Sequence, residues 1–286
     1  ALVGQAPLAE LVHHVGWQNA LLSVSWVGVV LALVYALLVR DKKNTHSTQQ
    51  TGKTKQQDFD FKQLYVVLKQ KRNWLLTLYR GLAFAPLAVF GGLWGDPFLK
   101  TAYHLSTTQA ASYVTLVFVG LGLGAPLWGV CSDRFGHRLR FMSSGTMLSL
   151  VCVLGALYLP TNAHVALATC LFLFGFGTGS FMTGFTLGKE WNPVAMAATV
   201  VAMINTGDAL FGAFTEPLVG KLLDVYAPHS HAGHTFGVAD FHHALVLLPV
   251  YLVLALVVAV CLRPSRRQAT SVVNASKKRY ETASLK

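Results

Sequence analysis

The chain has 286 residues, 53% of them hydrophobic and 12% charged, with a mean hydropathy of +0.48. That composition excludes an ordinary water-soluble domain and predicts an all-α integral membrane protein. The net charge of +11 does not mark a nucleic-acid partner, because the positive residues fall between and after the apolar runs, where membrane orientation requires them.

Residues Ala1 to Val12 are too few to cross a bilayer and carry no basic flank. They are expected to be the outer end of a helix, not a signal peptide. The first complete span runs from about Gln18 to Val39 and is almost purely aliphatic. Residues 40–72 then carry nine Lys or Arg against Asp41, Asp58 and Asp60. Within them, Asn44 to Gln57 has no apolar residue and reads as a solvated linker. Phe59 to Leu68 has the pattern of a short amphipathic helix lying on the membrane surface.

The second span is expected from about Trp74 to Trp94, enclosing Arg80 and Pro86, with Gly95 to Ser106 as a connecting segment. The third, about Thr107 to Ser132, holds Gly120, Gly122, Gly124 and Pro126. Such glycines resemble a nucleotide-binding loop, but that loop joins a strand to a helix in water; inside an apolar span they favour close helix packing. A dense polar turn, Gly129-Val-Cys-Ser-Asp133-Arg134-Phe-Gly136-His137-Arg138, leads into the fourth span, about Arg140 to Leu159. The fifth covers about Val165 to Leu187 and the sixth about Ala195 to Leu222, joined by the polar turn Lys189–Pro193. The loop Asp224–Asp240 precedes the last span, about Phe241 to Leu262, and a basic tail follows at 263–286.

Twenty of the twenty-three Lys and Arg lie in segments that alternation places on one side. The positive-inside rule makes that side, with the C-terminus, cytoplasmic, and the plasma (inner) membrane is the expected location. Cys131, Cys152, Cys170 and Cys261 lie in or at the ends of spans with no Cys-x-x-Cys pair, so neither a disulfide framework nor a zinc site is indicated. No cofactor is expected. His229, His231 and His234 could hold a metal only if a rigid anchor positioned them, and none is evident, so no metal site is assigned. Asn274-Ala-Ser276 matches a glycosylation acceptor but falls in the tail assigned to the cytoplasm.

Ionisable residues inside spans are the first functional candidates, since each carries an insertion penalty of roughly 2.5–3.5 kcal/mol. Three stand out: Arg80, Asp208 and Glu216. Asn205, Asp208, Gly212 and Glu216 recur at helical spacing and are expected on one face. At about 1.5 Å per residue, Asp208 falls near the middle of a ~30 Å core and Glu216 near its outer edge. Asp208 is assigned to a solute, proton or gating role, or to a structural ion pair with Arg80. Glu216 is either part of the pathway or an interfacial carboxylate. Gly175, Gly179, Thr183 and Thr186 form a small, hydroxyl-bearing stripe that suits either a cavity wall or close packing. Phe84, Phe90 and Trp94 are pathway candidates or packing residues.

The order Gly129-x-x-x-Asp133-Arg134-x-Gly136-x-Arg138 between two spans resembles the short cytoplasmic loop signature of the major facilitator superfamily, secondary transporters of twelve helices. His137 departs from the family pattern, which usually has Arg or Lys there. A Gly4-Gln-Ala-Pro run followed by Gly16-Trp17 is similar to the family's passage from helix five to helix six. The resemblance implies that residues 1–39 close the N-terminal half, 40–72 are the loop between halves, and 73–262 are helices seven to twelve. Arg80 and Asp208 then fall on helices seven and eleven, beside the central cavity. The turn is implied to be a gating latch, with Asp133 near the start of helix eleven at about Ala195, assisted by Arg134 and Arg138.

The expected function is therefore secondary transport of a small polar solute (organic acid, amino acid or peptide-like) by alternating access, coupled to protons. The partners are that solute, protons, the lipid bilayer and the missing N-terminal helices. The alternatives are a facilitator or exchanger without proton coupling, and a non-transporting receptor or scaffold on the same fold. No Ser/His/Asp set, metal cluster or phosphate loop falls at one membrane depth, so an enzyme is not expected.

Overall fold

A computed structural model describes residues 6–38, 61–227 and 236–262. Every regular element among the described residues is helical. Among the described residues, seven helical runs are long and apolar enough to cross a membrane: His14–Leu38, Lys71–Tyr103, Thr107–Phe135, Arg138–Tyr158, His164–Trp191, Val194–Tyr226 and Val238–Cys261. Helices close their own backbone hydrogen bonds, which is what a segment in hydrocarbon must do. The expected linker Asn44–Gln57, the tail 263–286 and the histidines 229, 231 and 234 lie outside the described residues.

Helix α1 (Ala6–Leu38) bends at Gly16, whose φ of 79° and ψ of 158° lie in a region open essentially to glycine alone. Beyond the bend its aliphatic side chains point outward, and Ala20 is fully buried. Helix α2 (Phe61–Lys69) covers most of the segment read as amphipathic.

The second span is longer than its sequence suggests. Helix α3 (Lys71–Ala88) runs through Pro86 into a π-helical turn, Val89–Trp94, and on into α4 (Gly95–Tyr103). The expected connecting segment at Gly95–Ser106 is thus helical to Tyr103. Gly91, Gly92, Gly95 and Pro97 look like breakers, but the π turn absorbs the change in bonding, and Pro97 sits in the first turn after it. Burial carries the helix onward: Phe90 and Phe98 meet edge to face at 6.1 Å, Phe90 meets Phe174 at 6.2 Å, and Phe98 meets Phe241 at 6.0 Å.

Helix α5 (Thr107–Phe135) starts at a reciprocal cap, in which Ser106 Oγ accepts from the Gln109 N–H and Gln109 Oε1 accepts from the Ser106 N–H. Helix α6 (Arg138–Tyr158) follows a turn closed by Gly136 at φ 68°. Helix α7 (His164–Thr178) passes through the 3-10 turn Gly179–Met182 into α8 (Thr183–Trp191). Helix α9 (Ala197–Tyr226) is preceded by a short 3-10 turn, and α10 (Val238–Leu245) continues into α11 (Leu247–Cys261).

Helix α7 lies between α5 and α6, while α3 lies against α9 and α11. The α5–α7 seam settles the glycine question. A Cβ at Gly120 or Gly124 would strike the backbone of Phe172 or Phe176, and one at Gly175 or Gly179 would strike that of Val117 or Ala125. These are packing glycines, and the close-packing alternative holds for Gly175 and Gly179. The core has two apolar regions, one around Phe90, Phe98, Phe174 and Phe241 and one around Leu76, Met142, Phe181 and Ile204. The buried polar residues of α3 and α9 sit beside the second.

Candidate functional site

Arg80 is 1% exposed, on the face of α3 that α9 covers. Its Nη2 meets Asp208 Oδ2 of α9 at 2.5 Å, and its Nη1 donates to the Phe181 carbonyl at 2.8 Å. The guanidinium carbon lies 3.6 Å from the Phe185 ring centroid and 4.3 Å from that of Phe181. Phe84 stacks on Phe181 at 5.6 Å. A planar cation against ring faces gains from the ring quadrupole, and Asp208 compensates its charge. The stem of Arg80 rests on Gly184, where a Cβ would come within 2.7 Å of Cδ.

The pair is not fully satisfied. Arg80 Nε and Asp208 Oδ1 are buried without a hydrogen-bond partner among the described residues, as is Thr77 Oγ1 one turn before Arg80. Asp208 therefore holds a free acceptor, and Arg80 a free donor, beside a bond that already joins them.

The rest of the expected stripe divides. Asp208 and Gly212 are buried, Glu216 is half-buried, and Asn205 is exposed. Each residue advances about 100° around a helix, and the buried arc is centred on Ile204, Thr215 and Val219. The polar stripe straddles the edge of that arc, so its members do not share one environment. Glu216 contributes its carbonyl to Trp94 Nε1 at 3.1 Å. Thr183 is buried, with its hydroxyl donating to the Ser180 carbonyl at 2.8 Å. Phe90 belongs to the core.

The second constellation is the turn between α5 and α6. Arg138 Nη1 pairs with Asp133 Oδ1, and Arg138 Nη2 lies 2.8 Å from Glu190 Oε1 at the end of α8. Arg138 Nη1 also donates to Ser132 Oγ at 3.3 Å, and Ser132 Oγ donates to the Gly129 carbonyl at 2.9 Å. Asp133 takes its ion pair from Arg138. Arg134 is exposed and joins no ion pair among the described residues. Gly129 faces open space.

Several contributors escape sequence reasoning. Glu190 falls in the stretch Lys189–Pro193, which reads as a polar turn but is helical to Trp191. Phe181 and Phe185 carry no periodic signal that separates them from core aromatics. Asn73 and Asn192, both buried, exchange side-chain hydrogen bonds at 3.1 and 2.9 Å, tying the start of α3 to the end of α8. The only signal for that pair is an amide at each end of a span. The described residues hold no group of three or more metal-binding side chains.

Spanning helices packed around a buried cation–carboxylate pair define a multi-pass integral membrane protein. The Major Facilitator Superfamily model matches residues 76–285, and the chain belongs to that family. It is 32% identical over 129 residues to the hexuronate transporter of Bacillus subtilis, covering 44% of this chain and 29% of that protein. It is 29% identical over 157 residues to the probable nitrate/nitrite antiporter NarK1 of Thermus thermophilus, covering 55% and 34%. The 2-nitroimidazole transporter of Escherichia coli matches at 25% over 233 residues, covering 78% and 54%. In fold, the chain is similar to a bacterial homolog of the human lysosomal transporter Spinster in its inward-facing, unoccupied conformation, with a TM-score of 0.65 and 18% identity over 88% of this chain and 61% of that one. The chain thus spans about a third or less of the first two relatives' length.

Proposed function

We propose that this chain is part of a secondary transporter that moves a small polar solute by alternating access, and that it is not an enzyme. The observation that carries this reading is the buried Arg80–Asp208 pair linking two spans of a major facilitator chain, with one donor and one acceptor left free. Residues 73–262 would form the C-terminal six-helix half, 40–72 the loop between halves and 1–39 the end of the N-terminal half. The limited share of each relative that is covered supports this division. The missing N-terminal helices would supply the other wall of the solute pathway. The C-terminus would face the cytoplasm and the protein would sit in the plasma (inner) membrane, a reading supported by the clustering of Lys and Arg in alternate segments.

An anionic or zwitterionic solute fits best, because Arg80 offers a guanidinium once Asp208 is neutralised or drawn aside. The relatives named for hexuronate and for nitrate/nitrite are in keeping with that choice. Proton coupling follows if the solute and the proton share the pair: protonation of Asp208 frees Arg80, and solute release restores the ion pair. The closed pair itself favours a second reading, since a carboxylate already neutralised by Arg80 needs no proton. That reading is an exchanger in which the solute alone replaces Asp208 on Arg80. The Asp133–Arg138–Glu190 cluster would hold α5, α6 and α8 together on the basic side in one conformation and part in another.

Solute uptake by vesicles containing the full-length protein, with and without a proton gradient, tests the proposal. Accumulation that collapses with the gradient supports symport, and gradient-independent counterflow supports exchange. Absence of uptake for any organic acid, amino acid or peptide tested would favour the receptor or scaffold reading.

A further inference from the structure

We infer that the Phe181–Phe185 run is a fixed seat for the Arg80 guanidinium, so that Asp208, and not Arg80, is the member of the pair that disengages. On the proposed reading of the pair as the element that exchanges, the seat settles which side stays and which side lets go.

Most of what holds Arg80 comes from that run. Its Nη1 donates to the Phe181 carbonyl at 2.8 Å, and its guanidinium carbon lies 4.3 Å from the Phe181 ring centroid and 3.6 Å from that of Phe185. Its stem passes over Gly184, where a Cβ would come within 2.7 Å of Cδ and 3.2 Å of Cγ. A planar cation held by ring faces and a carbonyl, away from water, keeps that hold when its counter-charge is neutralised. Asp208 has less to keep it in place: Oδ2 meets Arg80, and Oδ1 has no hydrogen-bond partner among the described residues.

The seat is itself anchored. The Phe181 carbonyl belongs to the 3-10 turn Gly179–Met182, which interrupts the α-helical bonding of its span. Ser180 Oγ of that turn donates to the Met142 carbonyl of α6 at 3.3 Å, and Tyr79 Oη, the neighbour of Arg80, donates to the same carbonyl at 3.0 Å. Gly145 leaves room for Ser180, since a Cβ there would come within 2.2 Å of its Oγ. Thr183 braces the turn by donating to the Ser180 carbonyl at 2.8 Å, and Phe84 stacks on the Phe181 ring at 5.6 Å. Tyr79–Arg80 and Ser180–Phe181 are thus held in register on one carbonyl of α6. Phe181 and Phe185 are positioning residues, acting on a solute through Arg80.

The test uses the full-length protein with isotope-labelled arginine in detergent. The Arg80 Nε–H resonance is the one that Arg80→Lys removes. Lying against ring faces, that proton is expected upfield of the other arginine signals and slow to exchange with water. Asp208→Asn should leave both properties in place. Adding Phe185→Leu should then speed exchange on the order of tenfold, the factor for losing one desolvated cation–ring contact. Adding Phe185→Tyr instead should preserve the slow exchange. A resonance that joins those of the exposed arginines in Asp208→Asn would overturn the inference, because Asp208 would then be what holds Arg80. Exchange left unchanged by Phe185→Leu would overturn it as well.

Thermal unfolding supplies a second measurement in proteins without a stranded charge. Phe185→Leu should lower the unfolding temperature of the wild type by more than that of Arg80→Gln with Asp208→Asn, in which no guanidinium faces the ring. Equal losses in the two backgrounds would also overturn the seat. Neither readout involves transport, so a failure of the seat and a failure of the transporter reading appear in different experiments.

Discussion

Arg80 and Asp208, 128 positions apart in the chain, meet at 2.5 Å in the contact between α3 and α9. Phe181 and Phe185 cover the guanidinium, so the pair has little water to fall back on if one member is lost.

Removing one partner leaves a buried, uncompensated charge, which destabilises by about 3–5 kcal/mol. Arg80→Gln and Asp208→Asn should each lower folded yield and thermal stability in detergent. The double variant should recover most of the stability of the wild type, because neither charge is then stranded. Equal or additive losses in the double variant would show that the two residues act independently.

The glycine seam yields a contrast within one helix. Gly120→Val and Gly124→Val should lower the unfolding temperature, with overpacking costs of about 1–3 kcal/mol or more, since their neighbours are backbone atoms. Gly129→Val should be far milder for folding, because no atom beyond its own stretch of helix backbone lies within 4 Å of a Cβ there. A thermal-unfolding series over the three variants decides the matter.

At the α5–α6 turn, Glu190→Gln should slow transport as much as Asp133→Asn, since both carboxylates hold Arg138. A tenfold loss in each corresponds to about 1.4 kcal/mol in the limiting step. Arg134→Gln should have the smallest effect of the set, and so should His137→Arg. Initial uptake rates of the four variants provide the comparison, and a Glu190 variant with wild-type rates would remove α8 from the latch.

The amide pair should behave as a unit. Asn73→Leu leaves Asn192 Oδ1 without its donor, while Asn192 Nδ2 keeps the Gly188 carbonyl, and an unsatisfied buried acceptor costs about 1–3 kcal/mol. Replacing both by Leu should cost less than the sum of the two single changes. The double-variant cycle in thermal unfolding measures the coupling, and strict additivity would refute it.

What the sequence revealed follows physical length scales. Apolar runs of spanning length identified the helices, and the Asp133–Arg138 turn was visible because charge is rare in such a chain. Asp208 and Arg80 stood out for the same reason. The extent of the second span did not: Gly91, Gly92, Gly95 and Pro97 are local breakers, and only the burial of Phe98, Leu99 and Ala102 against other helices overrides them. Asn205 and Asp208 share a helical face by spacing, yet which arc of α9 is covered depends on where α3 packs, and periodicity alone does not carry that. Glu190, Phe181 and Phe185 belong to the site only through three-dimensional proximity.

The most direct test of the account is solute transport by the full-length protein carrying Asp208→Asn, measured in liposomes at two pH values. Uphill accumulation driven by a proton gradient and downhill counterflow exchange are recorded for the same preparation. The account predicts that the Asn variant loses uphill accumulation at both pH values while retaining measurable counterflow. A variant that accumulates solute uphill like the wild type would contradict it, because Asp208 would then be neither the coupling group nor an essential partner of Arg80.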